Sequence, residues 1–290
     1  MKHPGVYDSP VRVYKMPELP EVQTIVNDLI ASDLIDKKII SARVYWPKTI
    51  DRMSPATFCR RIKGKQIRSI DRRGKFIVIK LSQQTVLLIH LRMTGRLVFE
   101  DSKHPRNKHE HVILNLADRR QLRFKDTRKF GRFYLVDNPE EVCGHLGPEP
   151  LAKEFTLRVF IERLRVRRRR IKPLLLDQSF VAGIGNIYAD ESLWAAGIHP
   201  ERLSSSLADS EIRALHRAIP RVLKQGLKHM GTTLGRGETN FYSVAGYRGN
   251  NQERLKVFRR DGQPCPRCRK VIQRMVVEQR GTFFCPACQC

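Results

Sequence analysis

Two Cys-x2-Cys pairs at the carboxyl end constrain this chain more than any other feature. Cys265 and Cys268 form the first pair, Cys285 and Cys288 form the second, and 16 residues separate them. This spacing is typical of a four-cysteine zinc ribbon. Four thiolates close a tetrahedral site, so we expect one structural zinc ion and no open position for catalysis. A hairpin of about 25 residues has too little core to fold alone, and the metal would stabilise it.

The other cysteines fit no disulfide framework. Five of the seven cysteines lie between residues 265 and 290, whereas Cys59 and Cys143 are solitary. Cys290 falls outside the paired spacing, and we expect it to be a free thiol. This distribution indicates a metal site in a reducing compartment.

The charge of the chain points to a polyanionic partner. The formal net charge is +26 and the isoelectric point is near 10.3, far beyond what solubility requires. Nucleic acid is the first expectation and an acidic membrane surface is the second. No apolar stretch approaches membrane-spanning length, so we expect a soluble protein. A ribosomal or other RNA-binding zinc protein would have the same composition.

Hydrophobic periodicity divides the chain into a strand-rich part and a helical part. A helical pattern ending near Leu34 precedes seven short apolar runs: 39–45, 67–71, 76–81, 86–91, 111–116, 121–125 and 132–136. Many short strands without intervening helices predict an antiparallel sandwich or flattened barrel. Prolines and glycines between Asn138 and Leu151 mark a domain boundary. From Phe155 to about Met230 the spacing becomes helical.

Two stretches are more specific than these patterns. Met16-Pro17-Glu18-Leu19-Pro20-Glu21 opens the first helix, where proline and acids are ordinary start signals. The run 171–191 contains Gly183-Ile184-Gly185-Asn186, and a helical pattern follows it. The glycines permit close backbone approach, and amides at the helix start can hold a phosphate.

Together these stretches resemble the formamidopyrimidine-DNA glycosylase family, from Pro17 to Gln289 and in the family's order. The resemblance implies an α+β multidomain fold with an N-terminal antiparallel β-sandwich and flanking helix, a helix–two-turn–helix domain and a C-terminal zinc-ribbon β-hairpin. It implies a bifunctional DNA glycosylase and abasic-site lyase that removes 8-oxoguanine and formamidopyrimidines and then cleaves the strand by β,δ-elimination. Leu19 favours this branch over the endonuclease VIII-like branch, which prefers oxidised pyrimidines.

The resemblance also implies the catalytic residues. The nitrogen of Pro17, as the terminal residue, would attack C1′ of the sugar, because an α-amino group titrates far below a lysine. Glu18 would shuttle protons, with Glu21 as the second choice. Lys75, at a hairpin turn, would donate a proton during β-elimination. Arg280, in the zinc-finger segment, would grip the phosphate beside the lesion and assist the second elimination.

The DNA-binding residues that the resemblance implies fall into two groups. Met93, Arg128 and Phe130 would fill the space that the extruded base leaves. Phosphates and other parts of the DNA would be contacted by His109, Arg167, Lys172 and Asn186. From the residues alone, His109 and His111 share one strand face, so a second zinc site is the alternative there.

One feature departs from the family pattern, because fifteen residues precede Met16. If they remain, Pro17 is an amide and cannot form a Schiff base. We expect a mis-assigned start codon; a removed extension and a catalytically silent DNA-binding zinc protein are the alternatives. The sequence thus predicts residues 1–16 as extension, 17–140 as the catalytic domain, 141–152 as linker, 153–234 as the helix–two-turn–helix domain, 235–254 as a mobile lesion-capping loop and 255–290 as the zinc finger.

The predicted partner is damaged double-stranded DNA, with no membrane. The predicted state is a monomer in the bacterial cytoplasm, associated with the nucleoid.

Overall fold

The structure is a computed structural model that describes residues 16–235 and 240–290. Within those ranges it contains seven α-helices: α1 (Leu19–Ala31), α2 (Pro55–Ile62), α3 (Glu140–Cys143), α4 (Leu157–Arg165), α5 (Ile171–Leu176), α6 (Asn186–Ala196) and α7 (Asp209–Lys228). Its strands are β1 (Ile39–Val44), β2 (Ile67–Arg73), β3 (Phe76–Leu81), β4 (Val86–His90), β5 (Gly95–Asp101), β6 (Glu110–Leu116), β7 (Arg120–Asp126), β8 (Arg132–Val136), β9 (Gln273–Val277) and β10 (Arg280–Phe284). The expected extension, up to residue 15, lies outside the described ranges.

Strands β1 to β8 form two four-stranded antiparallel sheets. One sheet has the order β1-β6-β7-β5 and the other has the order β2-β3-β4-β8. Apolar side chains from both sheets meet in one core, where the rings of Phe124 and Phe133 lie 5.0 Å apart between centroids. The predicted antiparallel sandwich is confirmed.

Strand β3 shows how this sandwich is covered on both faces. It pairs with β2 and β4, and it buries every residue except Lys80. One face points into the core between the sheets, which includes Ile77 and Ile79. Phe76 and Val78 on the other face pack against Leu146 and its neighbours in the stretch that follows β8. A continuous apolar run is the expected sequence for a strand covered on both sides.

The helices and the C-terminal hairpin share a second core. Phe160, Leu174 and Leu193 of the helices pack in the same cluster as Val257 and Phe283. The hairpin of β9 and β10 therefore gains its apolar burial from the helices, in line with the expectation that it has too little core of its own.

Helix α1 connects the two cores. Leu19 belongs to the helical cluster, whereas Val22, Ile25 and Leu29 belong to the sandwich cluster. Each of these side chains is at most 2% exposed. Burying apolar side chains of this size stabilises a fold by about 1.5–3 kcal/mol each. The helix that follows Pro17 therefore fixes the position of one core relative to the other.

The structure differs from the sequence prediction at several elements. Helix α1 ends at Ala31 and not near Leu34. Helix α2 was not predicted, although Ser54 caps it by accepting a hydrogen bond from the backbone N–H of Thr57 at 3.1 Å. Strand β5 was also not predicted. Met93 lies in the turn between β4 and β5.

The described part of the predicted capping loop packs on the sandwich. Phe241 and Val244 are buried in the core between the sheets. The backbone N–H of Ala245 donates to Asp28 of α1 at 3.2 Å. A short 3-10 helix, Asn251–Arg254, follows. Residues 236–239 of this loop lie outside the described ranges.

Candidate active site and zinc centre

The segment before α1 docks onto the start of α6. The Glu18 carboxylate accepts hydrogen bonds from the backbone N–H groups of Gly185, Ile187 and Tyr188, at 2.9, 3.0 and 3.3 Å. An anion is favourable at this position because the first amides of a helix have no partner within the helix. Glu18 itself is 2% exposed. These amides, which we predicted as a phosphate site, therefore bind a carboxylate of the chain itself.

The two glycines of the Gly183-Ile184-Gly185 turn are required by the same contact. A Cβ atom at Gly185 would lie 2.3 Å from the Glu18 carboxyl carbon, and one at Gly183 would lie 2.7 Å from the Leu19 side chain. Gly183 also has a φ of +89°. Any side chain at these positions would displace the Pro17–Leu19 segment.

A cavity of about 280 Å³ opens beside this segment. Three of the four predicted catalytic residues line it, namely Glu18, Lys75 and Arg280. Pro17 is buried beside it and lines a small neighbouring cavity together with Met93. Met16, whose carbonyl carbon is bonded to the Pro17 nitrogen, lines the main cavity. The structure therefore brings the predicted catalytic set together around one space.

Lys75 is held in a clamped turn. It occupies the two-residue turn between β2 and β3, where Gly74 has a φ of +56°. Glu149 pairs with Arg72 at 2.7 Å and with Arg73 at 3.2 Å, and it also accepts the backbone N–H of Gly74. The Lys75 side chain is 5% exposed. Glu149 was not predicted, because nothing in its local sequence indicates that the linker folds back onto this turn.

His90 lies near Lys75, and its protonation differs from that of a surface histidine. Burial, together with the charges of Arg92 and Lys75, lowers the pKa of His90 to about 3. Its Nδ1 accepts the backbone N–H of Arg92 at 3.0 Å. The ring packs edge-on against Phe76 at 4.7 Å between centroids. His90 is therefore neutral in the folded protein at neutral pH.

The three residues predicted to fill the space of an extruded base contact one another. The Arg128 guanidinium donates to the Met93 sulfur at 3.1 Å and lies 4.6 Å from the centre of the Phe130 ring. Phe130 is 44% exposed. Met93 and Phe130 line a second cavity of about 420 Å³, and Arg280 and Met16 line both this cavity and the first.

Arg280 stands at the tip of the C-terminal hairpin. Glu278 and Gln279, with φ of +43° and +62°, form the two-residue turn that precedes it. The carbonyl of the next residue, Gly281, accepts hydrogen bonds from Asn186 at 2.9 Å and from Lys172 at 3.1 Å. These two side chains, predicted as DNA contacts, therefore hold the strand that carries Arg280.

Lys172 is part of a buried ion pair. Its ammonium lies 2.7 Å from the Asp190 carboxylate, and both side chains are 0% exposed. It also donates to the Thr282 hydroxyl at 2.8 Å. The other Asp190 oxygen accepts the backbone N–H of Phe283 at 3.0 Å. Burial raises the pKa of Asp190 and lowers the pKa of Lys172, and each partner opposes the shift of the other.

The remaining predicted DNA contacts, His109 and Arg167, are both half-buried and lie outside the cavities described above. His109 is half-buried just before β6, and its backbone N–H donates to Asn107 at 3.0 Å. Arg167 donates to the carbonyl of Arg163 at 2.8 Å and lies 5.4 Å from the Phe180 ring. His111 is buried, and its Nε2 lies 2.7 Å from the Asp126 carbonyl.

The four paired cysteines converge on one site. Their sulfur atoms lie within 4.8 Å of one another, with 3.9 Å between Cys265 and Cys288 and 3.4 Å between Cys268 and Cys285. Tetrahedral zinc with bonds of about 2.3 Å places sulfurs about 3.8 Å apart, so these positions fit the ion. Within residues 16–235 and 240–290 this is the one cluster of three or more ligands that could hold a metal, and Cys290 is not part of it. His109 and His111, the alternative zinc site, belong to no such cluster among these residues.

The zinc site touches helix α6 through an indole. Trp194 donates its Nε1–H to the Cys265 sulfur at 3.4 Å, and the Arg267 guanidinium lies 4.3 Å from its ring centre. Hydrogen bonds of this kind orient a metal ligand and stabilise its negative charge.

Three family models match consecutive parts of the chain. They are described as the formamidopyrimidine-DNA glycosylase N-terminal domain (residues 16–133), the formamidopyrimidine-DNA glycosylase H2TH domain (146–236) and the zinc finger found in this glycosylase and in IleRS (262–289). The chain belongs to the formamidopyrimidine-DNA glycosylase family. The predicted structural zinc site is confirmed.

Relatives cover nearly the whole chain. The formamidopyrimidine-DNA glycosylase of Protochlamydia amoebophila is 48% identical over 94% of this chain and 99% of its own length. That of Herpetosiphon aurantiacus is 45% identical over 94% of this chain and all of its own length. Membership of this family confirms the prediction of a base-excision-repair DNA glycosylase with lyase activity at abasic sites, and it excludes a ribosomal zinc protein.

Solved structures agree with the fold. A variant of the Lactococcus lactis enzyme bound to DNA containing Fapy-dG has a TM-score of 0.87 and 36% identity, over 94% of this chain and 99% of that one. The same enzyme bound to abasic-site DNA has a TM-score of 0.85 and 36% identity, with the same coverage. No helix among the described residues is long and apolar enough to cross a membrane.

Proposed function

We propose that this glycosylase excises oxidised purines, 8-oxoguanine and formamidopyrimidines, from double-stranded DNA with Pro17 as the nucleophile. The observation that carries the proposal is the shared cavity. Glu18, Lys75 and Arg280 line one space, Pro17 is buried at its side, and the Met93–Arg128–Phe130 group lies next to it. A nucleophile, proton-transfer groups and a phosphate-binding cation are the parts that base excision with strand cleavage requires.

The proposed reaction begins at the Pro17 nitrogen. This secondary amine attacks C1′ of the lesion nucleotide as the bond from C1′ to the base breaks, and the base leaves with a proton. The C1′–O4′ bond of the sugar ring then opens, O4′ takes up a proton, and an iminium forms between C1′ and nitrogen. The iminium withdraws electrons, so loss of a C2′ proton expels the 3′-phosphate and loss of a C4′ proton then expels the 5′-phosphate. We assign proton transfer to Glu18 as the sugar opens and to Lys75 during β-elimination.

This chemistry requires Pro17 as the terminal residue, because an amide nitrogen has no free lone pair for attack. The matching segment of the family model begins at Met16, which supports a functional chain that starts at Pro17 after removal of Met16. If the preceding residues are retained, Pro17 is blocked, and the chain would bind DNA without cleaving it. The proposal therefore depends on the true amino terminus.

The exposed parts of the site suit a bent duplex. Phe130 is 44% exposed beside Arg128, so this pair can enter the stack where a base has been swung out. His109 and Arg167 would contact the backbone of the DNA on either side. We assign Lys172 and Asn186 an indirect role, since both hold the strand that presents Arg280. The net charge of +26 supplies the attraction to phosphates.

The proposed organisation follows the sequence prediction. The catalytic sandwich spans residues 17–140, the linker 141–152, the helix–two-turn–helix domain 153–234, the lesion-capping loop 235–254 and the zinc finger 255–290. We propose that the protein acts as a monomer in the bacterial cytoplasm at the nucleoid.

A second class of lesion has a specific observation in its favour. The Lactococcus lactis enzyme, which matches this chain with a TM-score of 0.85 and 37% identity, has been solved with DNA containing an oxidised pyrimidine. We therefore propose oxidised pyrimidines as a secondary substrate.

Borohydride trapping tests the mechanism. Protein that begins at Pro17 is mixed with an 8-oxoguanine duplex and sodium borohydride, which reduces the iminium to a stable amine. We expect a covalent protein–DNA adduct, and no adduct with Pro17→Gly or with protein that retains residues 1–16. Intact mass identifies the terminus of each preparation. An adduct formed by the protein with a retained extension would refute Pro17 as the nucleophile.

A further inference from the structure

A second arginine lines the cavity that contains the proposed nucleophile. Arg259 follows Phe258, which is buried in the helical core, and it lines the same space as Glu18, Lys75 and Arg280. The sequence alone does not distinguish it, because it is one of two adjacent arginines in a strongly basic chain. Its position is known only once the hairpin is packed on the helices.

The guanidinium of Arg259 has no protein partner in the described part of the chain. No hydrogen bond or ion pair involves its side chain within residues 16–235 and 240–290. The neighbouring Arg260, by contrast, donates to Gln263 at 3.0 Å and to the Leu255 carbonyl at 3.1 Å. Arg259 is half-buried, and burial and the nearby charge of Arg274 lower its pKa, although the charge of Asp261 partly opposes the shift. A partly buried cation without a hydrogen-bonded partner is unfavourable unless an anion binds it.

The backbone at Arg259 is also unusual. Its φ is +57°, in the left-handed region, where a residue with a Cβ costs about 1–2 kcal/mol relative to glycine. The side chain is thus placed in the cavity from a conformation that glycine would adopt more easily. This observation makes glycine the natural substitution for an experiment, because it removes the guanidinium and relieves the backbone.

The charge of the cavity favours an anionic ligand. Arg259, Arg280 and Lys75 are cationic, and Glu18 is the one carboxylate among the described lining residues. The Glu18 oxygens already accept three backbone N–H groups of the α6 start. Two guanidinium groups therefore line a space whose one carboxylate among the described residues, Glu18, is already bound to backbone amides.

We infer that Arg259 binds a phosphodiester oxygen of the lesion strand and forms a two-arginine clamp with Arg280. This inference rests on the proposed function and adds a binding residue to it. A planar guanidinium donates two parallel N–H groups to a phosphate, which suits a permanently charged clamp. The edge of a neutral base would satisfy the hydrogen bonds of Arg259 but leave its charge uncompensated in a cavity with three cations.

The test compares Arg259→Gly with a matched control, Arg269→Gly. Arg269 also has a left-handed φ, of +68°, and lies in the same zinc finger, but it is exposed and does not line the cavity. Both variants lose one positive charge and gain a glycine where glycine is favoured. Equal zinc content and equal unfolding midpoints would show that both variants keep the fold.

Binding is measured with a duplex that contains a tetrahydrofuran abasic analogue, at several salt concentrations. We expect Arg259→Gly to bind about 10-fold or more weakly at 0.1 M salt, as for loss of a charged hydrogen bond. The slope of log K against log salt should become shallower by about 0.9, the value for one phosphate contact. Arg269→Gly should match the unsubstituted protein in both quantities.

A neutral phosphate locates the contact. Each phosphate beside the lesion is replaced in turn by a methylphosphonate, and the affinity ratio of unsubstituted protein to Arg259→Gly is measured for each duplex. We expect the ratio to fall to about one at a single position. A ratio that stays constant at every position, or an Arg259→Gly salt slope equal to that of the control, would overturn the inference.

The outcome is separable from that of the proposed function. The abasic analogue carries no base and undergoes no Schiff-base chemistry, so the binding measurement does not depend on Pro17. Loss of borohydride trapping by the unsubstituted protein would refute the nucleophile and leave the Arg259 result standing. An Arg259→Gly protein that traps normally and binds with an unchanged slope would refute the clamp alone.

Discussion

Replacing Asp190 with asparagine should destabilise the protein in a way that depends on pH. Asp190 and Lys172 are 2.7 Å apart and both are 0% exposed. Removing one partner of a buried pair leaves the other charge without compensation, which typically costs about 3–5 kcal/mol. Asparagine keeps the size of the side chain and retains an oxygen for the Phe283 N–H. The expected loss therefore reports the charge and not the packing.

The size of the loss follows from the alternative open to Lys172. Without Asp190 the buried ammonium can lose its proton, and an ordinary lysine titrates near pH 10.4. At about 1.36 kcal/mol per pH unit, neutralisation at pH 7.5 costs about 4 kcal/mol, and at pH 9.0 about 2 kcal/mol. The folded variant then binds one proton fewer than the unfolded chain, so its stability rises with pH up to the unfolded pKa.

Urea denaturation at pH 7.5 and 9.0 measures this difference. We expect Asp190→Asn to be about 4 kcal/mol less stable than the unsubstituted protein at pH 7.5, and about 2 kcal/mol less stable at pH 9.0. The double variant K172M/D190N has no lysine to neutralise and should show no such change between the two pH values. A loss below about 1 kcal/mol at pH 7.5, or an equal loss at both pH values, would refute the buried-pair reasoning.

Three further predictions address the turn, the metal site and acid sensitivity. Glu149→Ala should lower the free energy of unfolding in urea by about 3 kcal/mol and slow single-turnover strand cleavage, because it releases the turn that carries Lys75. The control is Glu154→Ala, at an exposed position. Equal cleavage rates for the two variants would contradict the clamping of this turn by Glu149. Trp194→Phe should lose zinc to a chelator about 10-fold faster than the unsubstituted protein, because the N–H···S bond to Cys265 is removed. The control is Trp46→Phe, since the Trp46 indole has no hydrogen bond in the described structure, and it should lose zinc at the unsubstituted rate. Equal rates for the two variants would show that the N–H···S bond is unimportant. Because the pKa of His90 is lowered to about 3, the contribution of the neutral ring to the free energy of unfolding is complete above about pH 6.5 and is lost as pH falls toward 3. Between pH 7 and 5 the unsubstituted protein should therefore lose about 2 kcal/mol of stability, whereas His90→Asn should not. Parallel curves of stability against pH for the two proteins in denaturation experiments would contradict this.

Much of the site could be predicted from the sequence because its parts are local. The cysteine spacing predicts the zinc site, since two short turns supply all four thiolates. The Met93, Arg128 and Phe130 contacts were expected only through the family resemblance, yet the structure brings them together as that resemblance implies. Seven of the eight strands in the sandwich followed from apolar runs bounded by turn residues.

The contacts that sequence reasoning missed all join residues distant in the chain. Glu149 meets a turn about 75 residues earlier, and Asp190 meets a strand 93 residues later. Each is one acid among many, and its local pattern predicts only a helix or a linker. The amides at the start of α6 were assigned to a phosphate because the sequence does not show that Glu18 occupies them.

The docking of Glu18 on α6 has a consequence for how the enzyme can move. Pro17 is the immediate neighbour of the residue that ties the sandwich to the helical half, and Leu19, two residues on, is embedded in that half. An opening of the molecule that preserves this docking would therefore keep Pro17, the proposed nucleophile, next to the start of α6. Movement of the helical half would then carry the Pro17–Leu19 segment with it.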